Sequence, residues 1–123
     1  MKELHEFEYP RNLYEKLIRD NDRLEEEISG DNLFTFISTT ASLQPWIKNS
    51  PLSSSETINR LMRKIVRHPY VKICKDVSLS KTVFKLEISS DNSATIFFGD
   101  ENVDVHEFRN EIVELYNNIF KKK

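Results

Sequence analysis

Glycine is scarce in this chain, with only Gly30 and Gly99 among 123 residues. Loops that cradle a phosphate group need glycine, because a Cβ atom would block the close approach of the backbone. Neither the G-x-x-x-x-G-K-[ST] pattern nor the G-x-G-x-x-G pattern can be written with these two residues. The sequence therefore excludes the two nucleotide-binding loops that these patterns describe.

Cysteine is equally scarce, since Cys74 is the only one. It has no partner for an internal disulfide, and we predict that it fills the core as a small hydrophobe. No apolar run is long enough for a signal peptide or a membrane span. These two absences favour an intracellular protein, cytoplasmic or nuclear, with no membrane span.

Sequence patterns of catalysis and of metal binding are missing as well. His5, His68 and His106 lie far apart, without the spacing of metal ligands. Cys74 and His68 are the only nucleophile and base that lie near each other, and their spacing matches no catalytic pattern. We therefore predict no enzyme activity, no metal, no cofactor and no small-molecule substrate.

Charge of either sign is not in large excess, because the net charge is −2 while 31% of the residues are charged. A coat protein for nucleic acid would be strongly basic, so an acidic partner would have to be held by a local patch. The length of 123 residues predicts a single domain, 1–123, in which residues 1–9 form a loose arm.

Apolar stripes define a helix near each end of the chain. The first helix is predicted from Pro10 to just before Gly30, and Asp104 and Glu107 form a D-x-x-E cap for the last one. Both stripes either dock onto the body of the domain or pair with a second chain in a coiled-coil-like manner. The candidate partner-interface residues are Leu17, Leu24, Ile28, Ile112 and Ile119, together with Trp46, which is either a core plug or a binding anchor.

The middle of the chain predicts one helix and several strands. Ser53 and Glu56 form a capping box for a helix that ends near Arg67, before Pro69. Residues 33–39 are predicted as a strand, with a short helix capped by Asp31 or Asn32 as the alternative. Further strands are predicted over residues 71–77, 82–88 and 94–98. The fold class is therefore α+β: an antiparallel meander of three or four strands, with helices at the N-terminus, middle and C-terminus.

Basic residues form one face of the middle helix. They are Arg60, Arg63, Lys64 and Arg67, and Lys72 follows in the next segment. These five side chains are the candidate contacts for an anionic partner or nucleic acid. The acidic run Glu25 to Glu27 is a candidate counter-charge that would neutralise them within the chain.

The order of elements between Leu33 and Ile88 resembles that of a winged helix. In such a domain the second helix of a helix-turn-helix enters the major groove and a hairpin forms the wing. Two functions follow from the sequence. The first is a non-catalytic protein-interaction or adaptor module, as a homodimer or as a subunit of a larger complex. The alternative is a winged-helix-like nucleic-acid binder that uses helix 53–67 and the following hairpin.

Overall fold

The part of the chain that the structure describes combines five α-helices with one three-stranded sheet. The computed structural model describes residues 7–89 and 93–120. In chain order the elements are α1 (Pro10–Glu26), α2 (Gly30–Lys48), a 3₁₀ turn (Pro51–Ser54), α3 (Glu56–Arg67), α4 (Pro69–Ser78), β1 (Lys85–Ile88), β2 (Ala94–Phe98), β3 (Glu101–Asp104) and α5 (Val105–Phe120). The predicted α+β class, with helices at the N-terminus, middle and C-terminus, is confirmed.

The sheet is antiparallel throughout, in the order β1-β2-β3. Leu86 lies opposite Ile96, and Ile96 lies opposite Val103. Alternate residues of β2 are buried, and the ring of Phe98 lies 5.9 Å from that of Phe108 on α5. The sheet therefore packs its inner face against the last helix.

Two of the three strands were predicted, although β1 begins at Lys85 rather than at residue 82. The third strand, β3, was missed, because the acidic residues before α5 were interpreted as helix-start residues. A two-residue turn at Gly99 and Asp100 joins β2 to β3, and Gly99 has a φ of 62°. Glycine at the first central position is the signature of a type II′ hairpin turn, so the signal was present in the sequence.

Of the two alternatives for residues 33–39, the strand is wrong and the helix is the one that the structure shows, because this segment lies within α2. Ser29 caps the helix by accepting a hydrogen bond from the Asn32 N–H at 3.1 Å. The buried side chains then recur mostly at helical steps of three and four; they are Leu33, Phe36, Ile37, Thr39, Thr40, Leu43 and Ile47. Burial of this stripe outweighs the β-propensity of single residues, which is small by comparison.

The strand predicted over residues 71–77 is also wrong, because α4 occupies this segment. Pro69 stands at the first helical turn, and Nδ1 of His68 accepts from the Tyr70 N–H at 3.1 Å. Val71, Cys74 and Val77 are buried at steps of three. Pro69 thus ends α3, as predicted, and begins a second helix, which the sequence interpretation did not foresee.

The helix ends differ from the predicted ones at two places. Gly30 opens α2 instead of following α1. The cap of α3 is Ser55, whose Oγ accepts from the Ile58 N–H at 3.2 Å, so the capping box predicted at Ser53 is wrong by two residues. Ser53 belongs to the preceding 3₁₀ turn.

The cap of α5 is confirmed in its first half. Oδ2 of Asp104 accepts from the backbone N–H groups of His106 and Glu107, both at 3.0 Å. The Glu107 side chain does not complete a reciprocal box, because it accepts from the Tyr70 hydroxyl instead. Glu107 therefore takes part in the cap through its N–H group and in a contact between α4 and α5 through its carboxylate.

The apolar stripes of the terminal helices are buried within the chain itself. Leu17, Leu24 and Ile112 are 0% exposed, while Ile28 and Ile119 are 8% and 6% exposed. Helix α1 packs against α2 and α5. Of the two alternatives for these stripes, docking onto the domain is therefore the one the structure shows. These five residues present no surface to a partner.

The winged-helix order is wrong in one respect, because α4 separates α3 from the first strand. A hairpin therefore does not follow the basic helix directly. The predicted loose arm, residues 1–9, lies mainly outside the described residues. Its last two residues are held in place, because the N–H groups of Glu8 and Tyr9 donate to Oδ1 of Asn12 at 3.0 and 2.9 Å.

Candidate functional site

The basic face of α3 points into solvent. Ile58 and Ile65 are the buried residues of this helix, at 9% and 2% exposure. The four cations lie on the remaining arc, and all are exposed: Arg60, Arg63, Lys64 and Arg67. We call these four residues the basic ridge. Lys72 is also exposed, but it lies on α4 rather than on a strand.

The basic ridge is not neutralised within the described part of the chain. The ion pairs there join Lys16 to Asp20, His68 to Glu111 and Arg109 to Glu25, at 2.8, 3.3 and 3.9 Å. None of them engages a ridge residue. The predicted counter-charge therefore acts elsewhere, since Glu25 approaches α5. Within residues 7–89 and 93–120, the four ridge side chains are exposed to water and none of them takes part in an ion pair.

A groove lies between the C-terminal half of α2 and α3. Its volume is about 310 Å³, and its lining comprises Gln44, Ile47, Lys48, Ser53, Asn59, Met62, Arg63 and Val66. We call it the α2–α3 groove. Ile47, Met62 and Val66 give it an apolar floor, while Lys48 and Arg63 supply positive charge. The ridge and the groove therefore share Arg63.

One polar contact fixes the rim of the α2–α3 groove. Nδ2 of Asn59 donates to the carbonyl oxygen of Ser53 at 2.9 Å. This bond joins the first turn of α3 to the 3₁₀ turn before it. This side of the groove is therefore already ordered before a ligand binds. Less conformational entropy is then lost on binding.

A second hollow continues this surface toward the end of α4. It has a volume of about 360 Å³ and is lined by Ala41, Ser42, Gln44, Pro45, Lys48, Lys75, Ser78 and Leu79. Gln44 and Lys48 line both hollows. Lys75 adds a third positive charge, and Leu79 is an exposed apolar side chain at 53% exposure. The positive surface thus extends from α3 across α2 to α4.

Sequence reasoning missed the part of this surface that α2 contributes. Gln44 and Lys48 were not candidate residues, because the segment before them was predicted as a strand. Lys75 belongs to the segment 71–77 that was predicted as a strand, whereas it lies on the exposed side of α4. A helical interpretation of residues 30–48 would have placed Gln44 and Lys48 one turn apart on the same face.

Trp46 belongs to a different surface. It is partly buried against the core and lines a hollow of about 520 Å³ with Tyr9, Pro10, Pro45 and Ser50, among others. It does not line either of the hollows that contain Lys48. The structure therefore separates Trp46 from the basic ridge. Its half-burial is compatible with both sequence interpretations, a core plug and a binding anchor.

Cys74 and His68, the two residues considered for catalysis, each have a distinct environment in the fold. Cys74 is 0% exposed, and burial raises the pKa of its thiol far above the usual value. The two ring nitrogens of His68 engage the Tyr70 N–H and the Glu111 carboxylate. Over residues 7–89 and 93–120 no three His, Cys, Asp or Glu side chains are grouped as metal ligands. Among the helices described, none is long and apolar enough to cross a membrane.

Comparison of the chain with protein-family models, with curated proteins and with solved structures gives no match.

Proposed function

We propose that this protein is a non-catalytic interaction module that binds an acidic, partly apolar segment of a protein partner. The observation that carries the proposal is the position of the basic ridge beside the α2–α3 groove. Arg63 belongs to both features: its charge has no ion-pair partner among the described residues, and its side chain lines the groove with the apolar floor. Such a surface suits a peptide that carries carboxylates on one side and apolar side chains on the other.

The floor of the groove favours a peptide over a phosphate backbone. Met62 is a flexible, polarisable side chain that adapts to different apolar partners, and Val66 adds apolar surface beside it, while Ile47 lies beneath them at 1% exposure. The sugar–phosphate backbone of a nucleic acid offers far less apolar surface to this floor than Leu or Phe side chains do. Lys48 and Arg63 would pair with carboxylates at the rim, where they guide encounter and set orientation more than affinity.

A peptide selection tests this proposal. Displayed random peptides are selected on the full chain, and the affinity of the enriched peptides is measured by fluorescence anisotropy. We expect enrichment of Asp and Glu next to Leu or Phe. The double change Lys48→Glu with Arg63→Glu should weaken binding about tenfold or more, because both rim charges are reversed.

The matched control is Arg19→Glu, which reverses an exposed cation on α1 outside the groove. It should leave the affinity unchanged. Enriched peptides without acidic residues, or equal binding by the double variant, would overturn the proposal.

A second function, nucleic-acid binding, is supported by the exposure of all four ridge cations on one helix. Phosphate contacts predict that affinity for a short DNA or RNA duplex falls steeply between about 50 and 200 mM salt. Changing Arg60, Arg63 and Lys64 together to Glu should abolish this binding. Duplex binding that survives the triple change would exclude the ridge as a nucleic-acid contact.

A further inference from the structure

Strand β1 is an open edge of the sheet. It is hydrogen-bonded to β2 on one side, and the order β1-β2-β3 places no described strand on its other side. Two apolar side chains at this edge are exposed, Val83 at 74% and Ile88 at 52%. An open edge with exposed apolar residues readily pairs with a strand of another chain.

The hydrogen bond beyond the end of β1 shows which backbone groups face outward. The Ser89 N–H donates to the Ser93 carbonyl at 2.8 Å, one step beyond the Ile88–Ala94 pair. Hydrogen-bonded pairs alternate along an antiparallel ladder. Lys85 and Glu87 therefore direct their backbone groups toward β2. Phe84, Leu86 and Ile88 direct theirs toward the open edge.

We propose that β1 pairs antiparallel with β1 of a second copy of this chain, about a two-fold axis at Leu86. In this register Leu86 faces Leu86 of the second copy as a hydrogen-bonded pair. Lys85 then lies opposite Glu87 of the second copy, and Glu87 opposite its Lys85. The sheet becomes continuous through both copies, with the two edges hidden.

The outward-facing backbone groups of β1 allow several registers, and the charges of Lys85 and Glu87 favour the one with its axis at Leu86. An axis at Lys85 places two lysines opposite each other, and an axis at Glu87 places two glutamates opposite each other. Opposite charges across strands stabilise a pair, and like charges destabilise it. The axis at Leu86 is the one that forms two opposite-charge pairs.

The same register covers the exposed apolar residue at the end of the strand. Phe84 comes to lie opposite Ile88 of the second copy, on the face that also carries Leu86. The ring of Phe84 is half-buried, with its centroid 6.4 Å from that of Phe98. The half-buried ring of Phe84 is therefore positioned to cover Ile88 of the second copy, which is half exposed in the single chain.

The other edge of the sheet explains why association would stop at two copies. Strand β3 carries Glu101 and Asp104, both exposed. Pairing of β3 with itself would bring these acidic side chains of both copies together along one short edge. Charged edge strands of this kind resist pairing. The β1 contact is isologous and closed, so it yields a dimer rather than a fibre.

Charge exchange tests the proposal in solution, with sedimentation velocity over a concentration series. The wild-type chain should dimerise. Lys85→Glu alone and Glu87→Lys alone should each weaken the dimer about tenfold or more, because like charges then face each other. The double exchange should restore the homodimer. An equimolar mixture of the two single variants should form a heterodimer, which also shows that each variant is folded.

The control is Lys81→Glu, which changes a neighbouring exposed lysine outside β1 and should leave the dimer intact. A second measurement does not depend on charge. Chains with Lys85→Cys, mixed with chains with Glu87→Cys, should form interchain disulfides, because Cα atoms of such pairs lie about 4.5 Å apart. A monomeric wild-type chain, a dimer insensitive to both single exchanges, or a lack of cross-linking would overturn the proposal. The residues of β1 lie outside the α2–α3 groove, so this outcome is separate from that of the proposed function.

Discussion

Arg109 on α5 donates a hydrogen bond through Nη1 to Oδ1 of Asn21 on α1, at 2.9 Å. The arginine is only 7% exposed, and its Nε donates to Nδ1 of His106 at 3.0 Å. Nη2 lies 3.9 Å from the Glu25 carboxylate. The polar residue within the apolar stripe of α1 therefore serves a buried guanidinium of the same chain rather than the register of a coiled coil.

Replacing Asn21 by Ala should destabilise the fold. The change removes an acceptor from a buried charged donor, and bonds of this type contribute about 1.5–3 kcal/mol. Urea unfolding of the variant, followed by circular dichroism, measures the loss. The matched control is Asn118→Ala, the same change at an exposed position of α5. Equal stability of the two variants would show that the Asn21 contact contributes nothing.

A second buried polar contact joins α1 to α2. Oγ1 of Thr39 donates to Oδ2 of Asp20 at 2.6 Å, and Nζ of Lys16 donates to the same oxygen at 2.8 Å. Asp20 and Thr39 are 2% and 4% exposed. Thr39→Val should lower the free energy of unfolding by about 1.5–3 kcal/mol, because a buried carboxylate loses a donor. Thr39→Ser keeps the hydroxyl group and should lose clearly less in the same urea titration; an equal loss would assign the effect to the methyl group.

The pH dependence of Tyr70 offers a test of the contact between α4 and α5. Its hydroxyl donates to Oε2 of Glu107 at 2.8 Å. Burial, the hydrogen bond to Glu107 and the nearby carboxylates raise the pKa of Tyr70 from 10.0 to about 12. Because the folded state holds this proton more tightly, the contribution to stability is complete below pH 10 and is lost as pH rises toward 12.

Glu107→Gln should lower the pKa of Tyr70 toward its ordinary value, because the negative charge is removed while an acceptor oxygen is kept. An NMR titration of ¹³C-labelled tyrosine follows this group directly, and Tyr70→Phe identifies its signal. A Tyr70 pKa that Glu107→Gln leaves in place would show that burial and the other nearby carboxylates, rather than Glu107, raise it.

The thiol of Cys74 should be inert in the folded protein. It is 0% exposed, and burial raises its pKa, so neither access nor thiolate is available. A thiol reagent such as Ellman's reagent should react slowly under native conditions and completely after unfolding in urea. Fast reaction with the folded chain would contradict the burial of this side chain and the non-catalytic interpretation.

The sequence predicted those elements whose signals agree with one another. Pro10, the periodic stripe of α1 and the Asp104 cap all indicate helices, and the structure has them there. In α2 and α4 the signals conflict, since Phe, Ile and Val favour strands locally while their spacing also fits a helix. Burial of α2 against α1 and of α2 and α4 against each other decides between the two, and this depends on contacts distant in sequence.

Only part of the candidate site could be predicted from the sequence. Periodicity alone placed the four ridge residues on the exposed face of α3. The groove beside them could not be predicted, because Lys48 and Arg63 line the same hollow only through the packing of α2 and α3 against the 3₁₀ turn. A single element shows its own exposed face in the sequence, whereas a surface built from two elements requires their tertiary arrangement.

Among residues 7–89 and 93–120, two have a positive φ, and they should respond to substitution in opposite directions. Ser80 and Gly99 both have a φ of 62°. Ser80 follows the end of α4, where its N–H donates to the Val77 carbonyl and the Lys81 N–H donates to the Asp76 carbonyl, both within 3.0 Å. These two bonds form a Schellman motif, in which glycine is the preferred residue at the position of Ser80.

Ser80→Gly should therefore stabilise the fold, by up to about 1 kcal/mol. Relief of the left-handed conformation gains about 1–2 kcal/mol, and the added freedom of glycine in the unfolded chain offsets about half of it. Gly99→Ala should cost about 1–2 kcal/mol, and this is backbone strain alone, because no atom lies within 4 Å of the added Cβ. Thermal unfolding of both variants measures the two effects. If Ser80→Gly destabilises the protein, the serine side chain makes a contribution larger than the strain of its backbone.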